Sequence, residues 1–396
     1  MEKKPEHVLS RGQIVLMAAC TGLIVANIYY CQPLILPISK EFGVAKEKAG
    51  NITVLTQIGY ALGLLFLVPL GDMLERKKQI LFTTLTAVLS LILAAKSTSL
   101  LMLEIASFLI GFTSVIPQLI LPLAAHLAAP EKRGKVVGSI MSGLLVGILL
   151  SRTLSGWVGV WMGWRSMFWI AAGITASLLL LMRVLLPHSK PHYTGSYSSL
   201  MQSLLTLVKE QPLLREASAI NALAFGAFSM FWTAMVLHLS SEPFNYNSDT
   251  IGMFGLAAAA GALIAPLIGG SADKRNPRVP IGYGIMVIAC SYLLFLIFPH
   301  TLAVLIVGIV ILDLGIQAIH VSNQSRIYAL LPQARNRLNT VFMTVSFIGT
   351  SLGSAVGLIV WSAAGWTGVC LAGIVLMVLA FIIYAITYKK ALDPIL

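Results

Sequence analysis

Twelve apolar stretches, each long enough to cross a lipid bilayer, constrain the fold of this chain more than any other feature. A membrane-spanning helix needs about 20 mostly apolar residues. The composition agrees, because 57% of the residues are hydrophobic and 11% are charged, whereas soluble domains carry about 25% charged residues. We therefore predict an all-α membrane protein. Its predicted spans are 13–37, 50–70, 78–95, 99–127, 136–159, 164–186, 214–240, 249–271, 279–299, 301–330, 337–361 and 366–388.

Basic residues lie unevenly on the two sides of these spans. Most of the 27 lysines and arginines fall at the chain ends or in loops on the side that holds both termini. The loops on the other side contain Lys40, Lys46, Lys48, Lys96 and Arg165. This bias predicts that the N and C termini are cytoplasmic. It also accounts for the formal net charge of +12 without any nucleic-acid partner.

The longest polar interval divides the spans into two sets of six. Matching features recur about 202 residues apart in the two halves, as expected for a same-sense repeat. They include Gly147 with Gly349 and Gly163-Trp164 with Gly365-Trp366. We therefore predict two pseudosymmetric six-helix bundles. The boundaries that we expect are 1–187 for the first bundle, 188–212 for a cytoplasmic linker and 213–396 for the second bundle.

A polar ladder interrupts the tenth span, in the run DLGIQAIHVSNQSR. At roughly 100° per residue, Asp313, Gln317, His320 and Gln324 fall within about 60° of one another and share one helix face. A carboxylate near the bilayer centre costs about 2.5 to 3.5 kcal/mol, so this face must meet other helices or a water-filled cavity. Asp313 is our candidate for a proton-titrating or cation-binding carboxylate. The alternative is a buried acid with purely structural bonds to neighbouring helices.

The other polar residues of this run carry two interpretations each. His320 lies two turns from Asp313 and is a candidate to share a proton with it, or else a neutral histidine that bonds across helices. Gln317, Asn323 and Gln324 are candidates to orient a substrate. The structural alternative is that such amides link membrane helices, at about 0.6 kcal/mol each.

Arg152 is the one strong base within a predicted span, in the run LSRTLSG. Because a guanidinium group stays charged, it must find an anion, a carbonyl oxygen or water. We expect Arg152 to pair with a carboxylate such as Asp313 or Glu104, or to contact an anionic group of a substrate. Snorkelling toward the bilayer surface is the alternative.

The chain resembles the major facilitator superfamily of membrane transporters over essentially its whole length. The run ANIYYCQPLILPI in span one and the run LSRTLSG in span five are similar to bacterial members grouped with drug:proton antiporters. The loops around Asp72 and Asp273 resemble the superfamily motif Gly-x-x-x-Asp-Arg-x-Gly-Arg-Lys, although the first copy lacks both glycines and the first arginine. Ser107 also stands four residues before Gly111, where many proton-coupled relatives carry an arginine. Coupling through that arginine is therefore excluded.

This resemblance implies the major facilitator fold, in which spans one, four, seven and ten line a central cavity. The substrate-cavity candidates are Asn27, Tyr30, Gln118, Arg152, Phe225, Phe228, Trp232, Gln317, Asn323 and Gln324. The aromatic residues of span seven suit an apolar substrate, although core packing or lipid contact explains them equally well. The gating contacts that hold the inner side closed would be made by Asp72, Arg76, Lys77, Asp273, Lys274 and Arg278. Alternatively, the charges of these residues only set the orientation of the spans in the membrane.

Together these features predict a secondary active transporter that exports an amphipathic small molecule in exchange for protons. The alternative is a proton symporter or facilitator that takes up a small metabolite, for example an anion bound by Arg152. We expect a monomer, surrounded by lipid, in the bacterial cytoplasmic membrane. We expect no catalysis, metal or cofactor, because the sequence has no Walker-type glycine loop, no HExxH run and no CxxC pair among its four cysteines.

Overall fold

The computed structural model describes residues 9–129, 132–188, 195–257, 278–331 and 334–392. Those ranges contain helices, turns and bends but no β-strand. In the first half of the chain the helices are α1 (Arg11–Val25), a 3-10 turn (Ala26–Ile28), α2 (Ile35–Phe42), α3 (Lys46–Phe66), α4 (Leu70–Met73), α5 (Arg76–Ala95), α6 (Leu100–Thr113), α7 (Ile116–Leu127), α8 (Arg133–Trp161) and α9 (Trp164–Leu185). In the second half they are α10 (Tyr197–Glu210), α11 (Pro212–Leu239), α12 (described over 248–257), α13 (Val279–Ile297), α14 (Leu302–Leu330) and α15 (Arg335–Leu392).

Ten helical segments within these ranges are long and apolar enough to cross a membrane, so the chain is a multi-pass membrane protein. They match predicted spans one to seven, nine and ten, and α15 covers spans eleven and twelve. The backbone of α15 leaves the helical conformation at Gly365, with φ 59° and ψ −153°, which separates those two spans. The eighth predicted span is described only over 248–257. This architecture is consistent with twelve spans.

Spans one, two and four are interrupted, and a proline lies at each of the three breaks, which in span one is Pro33. α4 begins after Pro69, and α7 has Pro117 in its first turn, a position at which the missing proline N–H costs no helical hydrogen bond. Span one leaves the regular helix over residues 29–34. This irregular segment brings the side chains of Tyr29 and Gln32 to α8. The break in span one therefore positions polar groups in the interior.

Glycine contacts hold matching pairs of helices together in the two halves. α1 packs on α8, and α11 packs on α15. A Cβ atom added to Gly147 would lie 2.0 Å from the carbonyl oxygen of Gly22, and one added to Gly353 would lie 2.0 Å from that of Gly226. Only a residue without a side chain lets two backbones approach so closely. The two halves are therefore built around equivalent contacts.

These contacts also correct the register of the predicted repeat. An added Cβ on Gly143 would meet the carbonyl oxygen of Ala18, and one on Gly349 would meet that of Ala222, so Gly349 is the counterpart of Gly143. The predicted match of Gly147 with Gly349 is therefore wrong by one helical turn. The error arises because both spans carry glycines four residues apart, which leaves two registers open at the level of sequence.

The other predicted match, of Gly163-Trp164 with Gly365-Trp366, agrees with the backbone geometry. Gly163 has a φ of 81° and Gly365 a φ of 59°, a region that glycine enters without steric cost. In each case the tryptophan begins the next helical segment.

The polar interval predicted as a linker contains an amphipathic helix, α10. Its buried residues are Leu200, Leu204 and Leu207, and it packs against α11 and α15. The hydroxyl of Tyr197 donates a hydrogen bond to the carbonyl oxygen of Phe66 at 3.0 Å, so α10 contacts both halves of the chain. We call this end of the bundle the basic end, because it carries Arg76, Arg335 and Arg337; the other is the opposite end.

Candidate functional site at the centre of the bundle

Arg152 lies deep in the protein on α8, with 3% of its surface exposed. Its Nε donates a hydrogen bond to Oε1 of Gln32 at 2.8 Å. The guanidinium carbon lies 4.1 Å from the ring centre of Trp232 and 4.8 Å from that of Tyr29, so both rings attract the cation. Arg152 therefore does not snorkel to the surface. Its Nη2 is buried without a hydrogen-bond partner among the described residues.

Asp313 lies on α14 and is also buried, with 5% of its surface exposed. Its Oδ2 has no hydrogen-bond partner within the described ranges. Arg152 attracts this carboxylate electrostatically, but the two side chains are not among the direct ion pairs of the described residues. A buried charge without a partner costs several kcal/mol unless a proton, an ion or a ligand offsets it. These two charges therefore have the character of a binding or protonation site.

Other predicted cavity residues surround the break in span one and the middle of α14. Asn27 and Tyr30 are buried, and both polar side-chain atoms of Asn27 have no partner in the described part of the chain. The backbone carbonyl of Tyr30 accepts a hydrogen bond from the hydroxyl of Ser155 on α8 at 2.5 Å. Gln317 lies one turn from Asp313 and is half-buried. Span one thus adds a further unsatisfied polar side chain to the interior.

The aromatic residues of α11 extend from Arg152 to His320. Phe228 lies 6.1 Å from Trp232, and Phe225 lies 5.1 Å from the ring of His320, measured between ring centres. Trp232 is buried, whereas Phe225 and Phe228 are half-buried. We call Phe225, Phe228 and Trp232 the apolar wall. It connects the central charges with the histidine of the polar ladder.

His320 lies beside a cavity between the two halves. Its ring is also 5.6 Å from that of Phe342, and its Nδ1 has no partner among the residues that the structure describes. The cavity has a volume of about 670 Å³. Its polar lining consists of Asp72, Arg76, Gln118, His320, Gln324, Tyr328, Arg335, Asn336, Arg337, Asn339 and Thr340. Because Arg335 and Asn336 are exposed, the cavity reaches solvent at the basic end.

Amide side chains bridge this cavity. Nδ2 of Asn339 on α15 donates to Oε1 of Gln118 on α7 at 3.3 Å. Oδ1 of Asn339 accepts hydrogen bonds from the hydroxyl of Tyr328 at 2.9 Å and from Nε2 of Gln324 at 3.3 Å. The predicted residues Gln118 and Gln324 therefore meet through Asn339, which was not predicted. The one-turn spacing of Asn336 and Asn339 in the run NRLN is the sequence signal for this polar face.

One of the predicted gating residues touches both halves at the basic end. Oδ1 of Asp72 accepts hydrogen bonds from Nη2 of Arg76 at 3.2 Å and from Nδ2 of Asn336 at 3.4 Å. Lys77 is buried at the start of α5. Two other predicted gating residues lie outside the described ranges, namely Asp273 and Lys274.

A separate group of charges ties second-half helices together at the same end. Glu216 on α11 accepts hydrogen bonds from Nη2 of Arg278 at 2.7 Å and from both terminal nitrogens of Arg326 at 3.2 Å. Arg278 also donates to Thr387, and Arg326 donates to Oδ1 of Asn323 at 3.2 Å. The predicted cavity residue Asn323 is thus fully buried against Arg326. Glu216 was not predicted, because an isolated acid near a helix start gives little signal.

Direct contacts join the two halves at the opposite end of the bundle. Nζ of Lys46 on α3 donates to the carbonyl oxygen and to the hydroxyl of Ser240, both at 3.0 Å. Farther inside, Nε2 of Gln57 donates to Oγ of Ser229 on α11 at 2.9 Å. The described residues therefore combine a solvent-reaching cavity at the basic end with direct contacts between the halves at the opposite end.

The central site consists of groups that suit the binding of a small organic molecule. Within the described ranges no group of three or more His, Cys, Asp or Glu side chains is placed to hold a metal ion. The centre instead offers a guanidinium group, a carboxylate, amides and aromatic rings. Such groups bind charged and hydrogen-bonding parts of small molecules.

Comparison with known sequences shows relatives along most of the chain. "Uncharacterized transporter YgaY" of Escherichia coli O157:H7 is 44% identical over 93% of this chain and 94% of the relative. "Probable transporter SCO4007" of Streptomyces coelicolor is 31% identical over 93% of this chain and 86% of the relative. A "Probable sugar efflux transporter" of Helicobacter pylori (strain P12) is 26% identical over 83% of this chain and 82% of the relative.

Solved structures share the fold. The crystal structure of a bacterial homologue of the human lysosomal transporter Spinster, inward-facing and unoccupied, has a TM-score of 0.76 at 14% identity, covering 96% of this chain and 97% of that chain. The human organic anion transporter MFSD10 (TETRAN) has a TM-score of 0.70 at 16% identity, covering 95% of this chain and all of that chain. The sequence model of the Major Facilitator Superfamily matches residues 16–354 and 222–394. This chain therefore belongs to the Major Facilitator Superfamily, a family of membrane transporters and not of enzymes.

Proposed function

We propose that this transporter exports a small amphipathic molecule in exchange for protons, and that Asp313 carries the proton. The observation that supports this most directly is the buried, unpartnered Oδ2 of Asp313 in the electrostatic field of Arg152. A carboxyl group in this position changes its charge when a proton or a cationic group arrives. Such an exchange at one atom is the simplest way to couple two fluxes.

Alternating access requires one open end and one closed end. The cavity at the basic end and the contact between Lys46 and Ser240 at the opposite end support such a mechanism. We propose that the moving units are bundles over 1–187 and 213–396, joined by the interval 188–212 that contains α10. Breaking the Lys46–Ser240 contact and closing the cavity would produce the other state.

We further propose that the basic end faces the cytoplasm and that the protein lies in the bacterial cytoplasmic membrane. The positive-inside bias supports this orientation, and the relatives reported above are bacterial. The Helicobacter pylori relative is named a probable sugar efflux transporter, which supports export as the direction. Export of this kind would start from the cavity at the basic end.

A second candidate function is uptake of a small anion, bound by Arg152 and accompanied by a proton. It is favoured by one observation, the unpartnered Nη2 of Arg152. In this mechanism the proton on Asp313 would travel in the same direction as the anion.

The experiment that separates these functions measures proton movement in proteoliposomes loaded with a pH dye. Lipophilic cations, neutral drugs and small organic anions are added in turn to vesicles with wild-type protein, Asp313→Asn or the control Glu104→Gln. Glu104 is a suitable control because it is a half-buried acid in another span, α6. Exchange and symport predict changes of opposite sign in the pH inside the vesicles.

Proton movement that occurs in wild type and in Glu104→Gln but not in Asp313→Asn supports the proposal. Equal proton movement in all three proteins would show that Asp313 is structural. Passage of labelled compounds without any proton movement would make the protein a facilitator and contradict the proposed coupling.

A further inference from the structure

Two opposite charges at the centre of the bundle are buried and incompletely satisfied. Nη2 of Arg152 lacks a hydrogen-bond partner, as does Oδ2 of Asp313, among the residues that the structure describes. The two groups attract each other without direct contact. A cationic donor and a carboxylate acceptor, both enclosed by the protein, therefore lie within each other's electrostatic field.

The guanidinium group of Arg152 is fixed in place by neutral neighbours. Gln32 holds its Nε, and the rings of Tyr29 and Trp232 flank it at 4.8 and 4.1 Å. Cation–π contacts offset only part of the cost of burying an ion. An anionic group at Nη2 would therefore be favourable, and because Nη2 is enclosed in this structure, a ligand reaches it when the halves move apart.

The pair of charges restricts the net charge of the ligand. A ligand with only a cationic group leaves two positive charges and one negative charge at the site. A ligand with only an anionic group leaves the reverse. Two like charges close together in a poorly hydrated site repel each other strongly. A molecule that carries one charge of each sign leaves the site neutral.

We propose that this site binds a small organic zwitterion of the amino-acid type, with its carboxylate at Nη2 of Arg152 and its ammonium group at Oδ2 of Asp313. The apolar part of such a molecule packs against the apolar wall of Phe225, Phe228 and Trp232. This inference rests on the proposed function only in taking the central site as the transport site.

The same geometry makes the zwitterion and a proton compete. Both bind at Oδ2 of Asp313. The ammonium group of the zwitterion donates a hydrogen bond to this oxygen, whereas the proton bonds to it covalently. A protonated Asp313 also leaves the charge of Arg152 uncompensated, which disfavours the ammonium group. The zwitterion is thus the kind of substrate that an exchanger with this site would carry.

The test compares two matched sets of three compounds, each an amino acid with the analogue that lacks its carboxylate and the analogue that lacks its amino group. The sets are L-phenylalanine, phenethylamine and 3-phenylpropionate, and L-leucine, isoamylamine and 4-methylpentanoate. L-arabinose is added as an uncharged sugar. Binding to the purified full-length protein in detergent is measured by equilibrium dialysis and by the shift in melting temperature. We expect at least one amino acid to bind about tenfold or more tightly than its amine and its carboxylate.

Two variants are expected to prefer different analogues of the amino acid. Arg152→Gln should lose the zwitterion and bind the amine better than the carboxylate, because only Asp313 remains charged. Asp313→Asn should lose the zwitterion and bind the carboxylate better than the amine. Glu104→Gln should bind as wild type does. Melting curves check that each variant is folded, and Arg152→Met, which is also uncharged, replaces Arg152→Gln if the latter unfolds.

Several results would overturn the proposal. They are tighter binding of an amine or a carboxylate than of its amino acid, binding of arabinose alone, or no binding of either amino acid at about 1 mM, the range of weak affinities. This measurement uses no gradient, so its outcome is distinct from that of the proton-movement experiment. Zwitterion binding without proton movement would sustain the substrate class and reject the proposed coupling.

Discussion

Two buried charges on the same helix, α14, have opposite environments. Near the middle, Asp313 has an unpartnered Oδ2 and is attracted by Arg152 at a distance. Near the basic end, Arg326 donates to both carboxylate oxygens of Glu216 and to Asn323. Both side chains are buried, with 5% and 8% of their surfaces exposed. The two charges are therefore similar in burial and differ in their number of partners among the described residues.

The largest expected effect is on the satisfied charge. Replacing Glu216 by Ala leaves Arg278 and Arg326 without their shared carboxylate, and removing one member of a buried ion pair costs about 3 to 5 kcal/mol. We expect a large fall in melting temperature in detergent. The melting temperature of Glu216→Gln should fall less, because the amide keeps one acceptor oxygen. An unchanged melting temperature in Glu216→Ala would remove the basis for calling this cluster structural.

The unsatisfied charge should behave in the reverse way. Asp313→Asn removes no hydrogen bond at Oδ2, so we expect little change in melting temperature. Substrate-driven proton flux should fall to the level of protein-free vesicles, because an amide side chain does not take up the proton at neutral pH. Stability and flux are measured on the same preparation. If Asp313→Asn were strongly destabilised and kept a normal proton flux, Asp313 would be a structural charge like Arg326.

A smaller effect is expected where polar contacts cross between the halves. Asn339→Leu removes the hydrogen bond to Gln118, and such a bond contributes about 0.5 to 1.5 kcal/mol. We expect faster hydrogen–deuterium exchange over residues 335–343 with little change in melting temperature. Thr340→Val is the matched control, because Thr340 bonds to the carbonyl of Asn336 within its own helix. Equal exchange in both variants would count against an inter-half role for Asn339.

The smallest effect concerns an exposed ion pair at the opposite end. Glu41 accepts hydrogen bonds from Arg165 and from Nε1 of Trp164. Burial raises the pKa of Glu41, but these hydrogen bonds and the charge of Arg165 outweigh it and lower the pKa below the ordinary 4.5. The contribution to stability is therefore present above about pH 4.5 and is lost as the pH falls through the lowered folded value.

This contribution is small, about 0.2 to 1 kcal/mol, because the side chains of Arg165 and Glu41 are 33% and 44% exposed. We expect the melting temperatures of wild type and Glu41→Gln to differ slightly at pH 6 and to converge at pH 3. A difference that grows toward low pH would have the wrong sign.

Sequence patterns predicted the spans well because apolar length is a local property. They also identified Asp313 and Arg152, since a charge inside a span is conspicuous. They did not reveal that Gln32, Tyr29 and Trp232 surround Arg152, because that depends on the break over residues 29–34. Partners of this kind are brought together by packing, which a single sequence does not encode locally.

The same limit applies at the basic end. Arg278 was predicted to be a gating residue, and its described contacts with Glu216 and Thr387 join helices of the second half. Asn339 was missed although it connects Gln118 with Gln324. The identity of a polar residue is visible in the sequence, whereas its partner across another helix is not.

The glycine contacts between α1 and α8 and between α11 and α15 have a consequence for how this protein can change over evolutionary time. Gly147 and Gly353 leave no room for even one methyl group against Gly22 and Gly226. Mutations there cannot adjust the spacing of the helices by small steps. We therefore expect new substrate preferences to arise through side chains that face the cavity more readily than through the spacing of these helices.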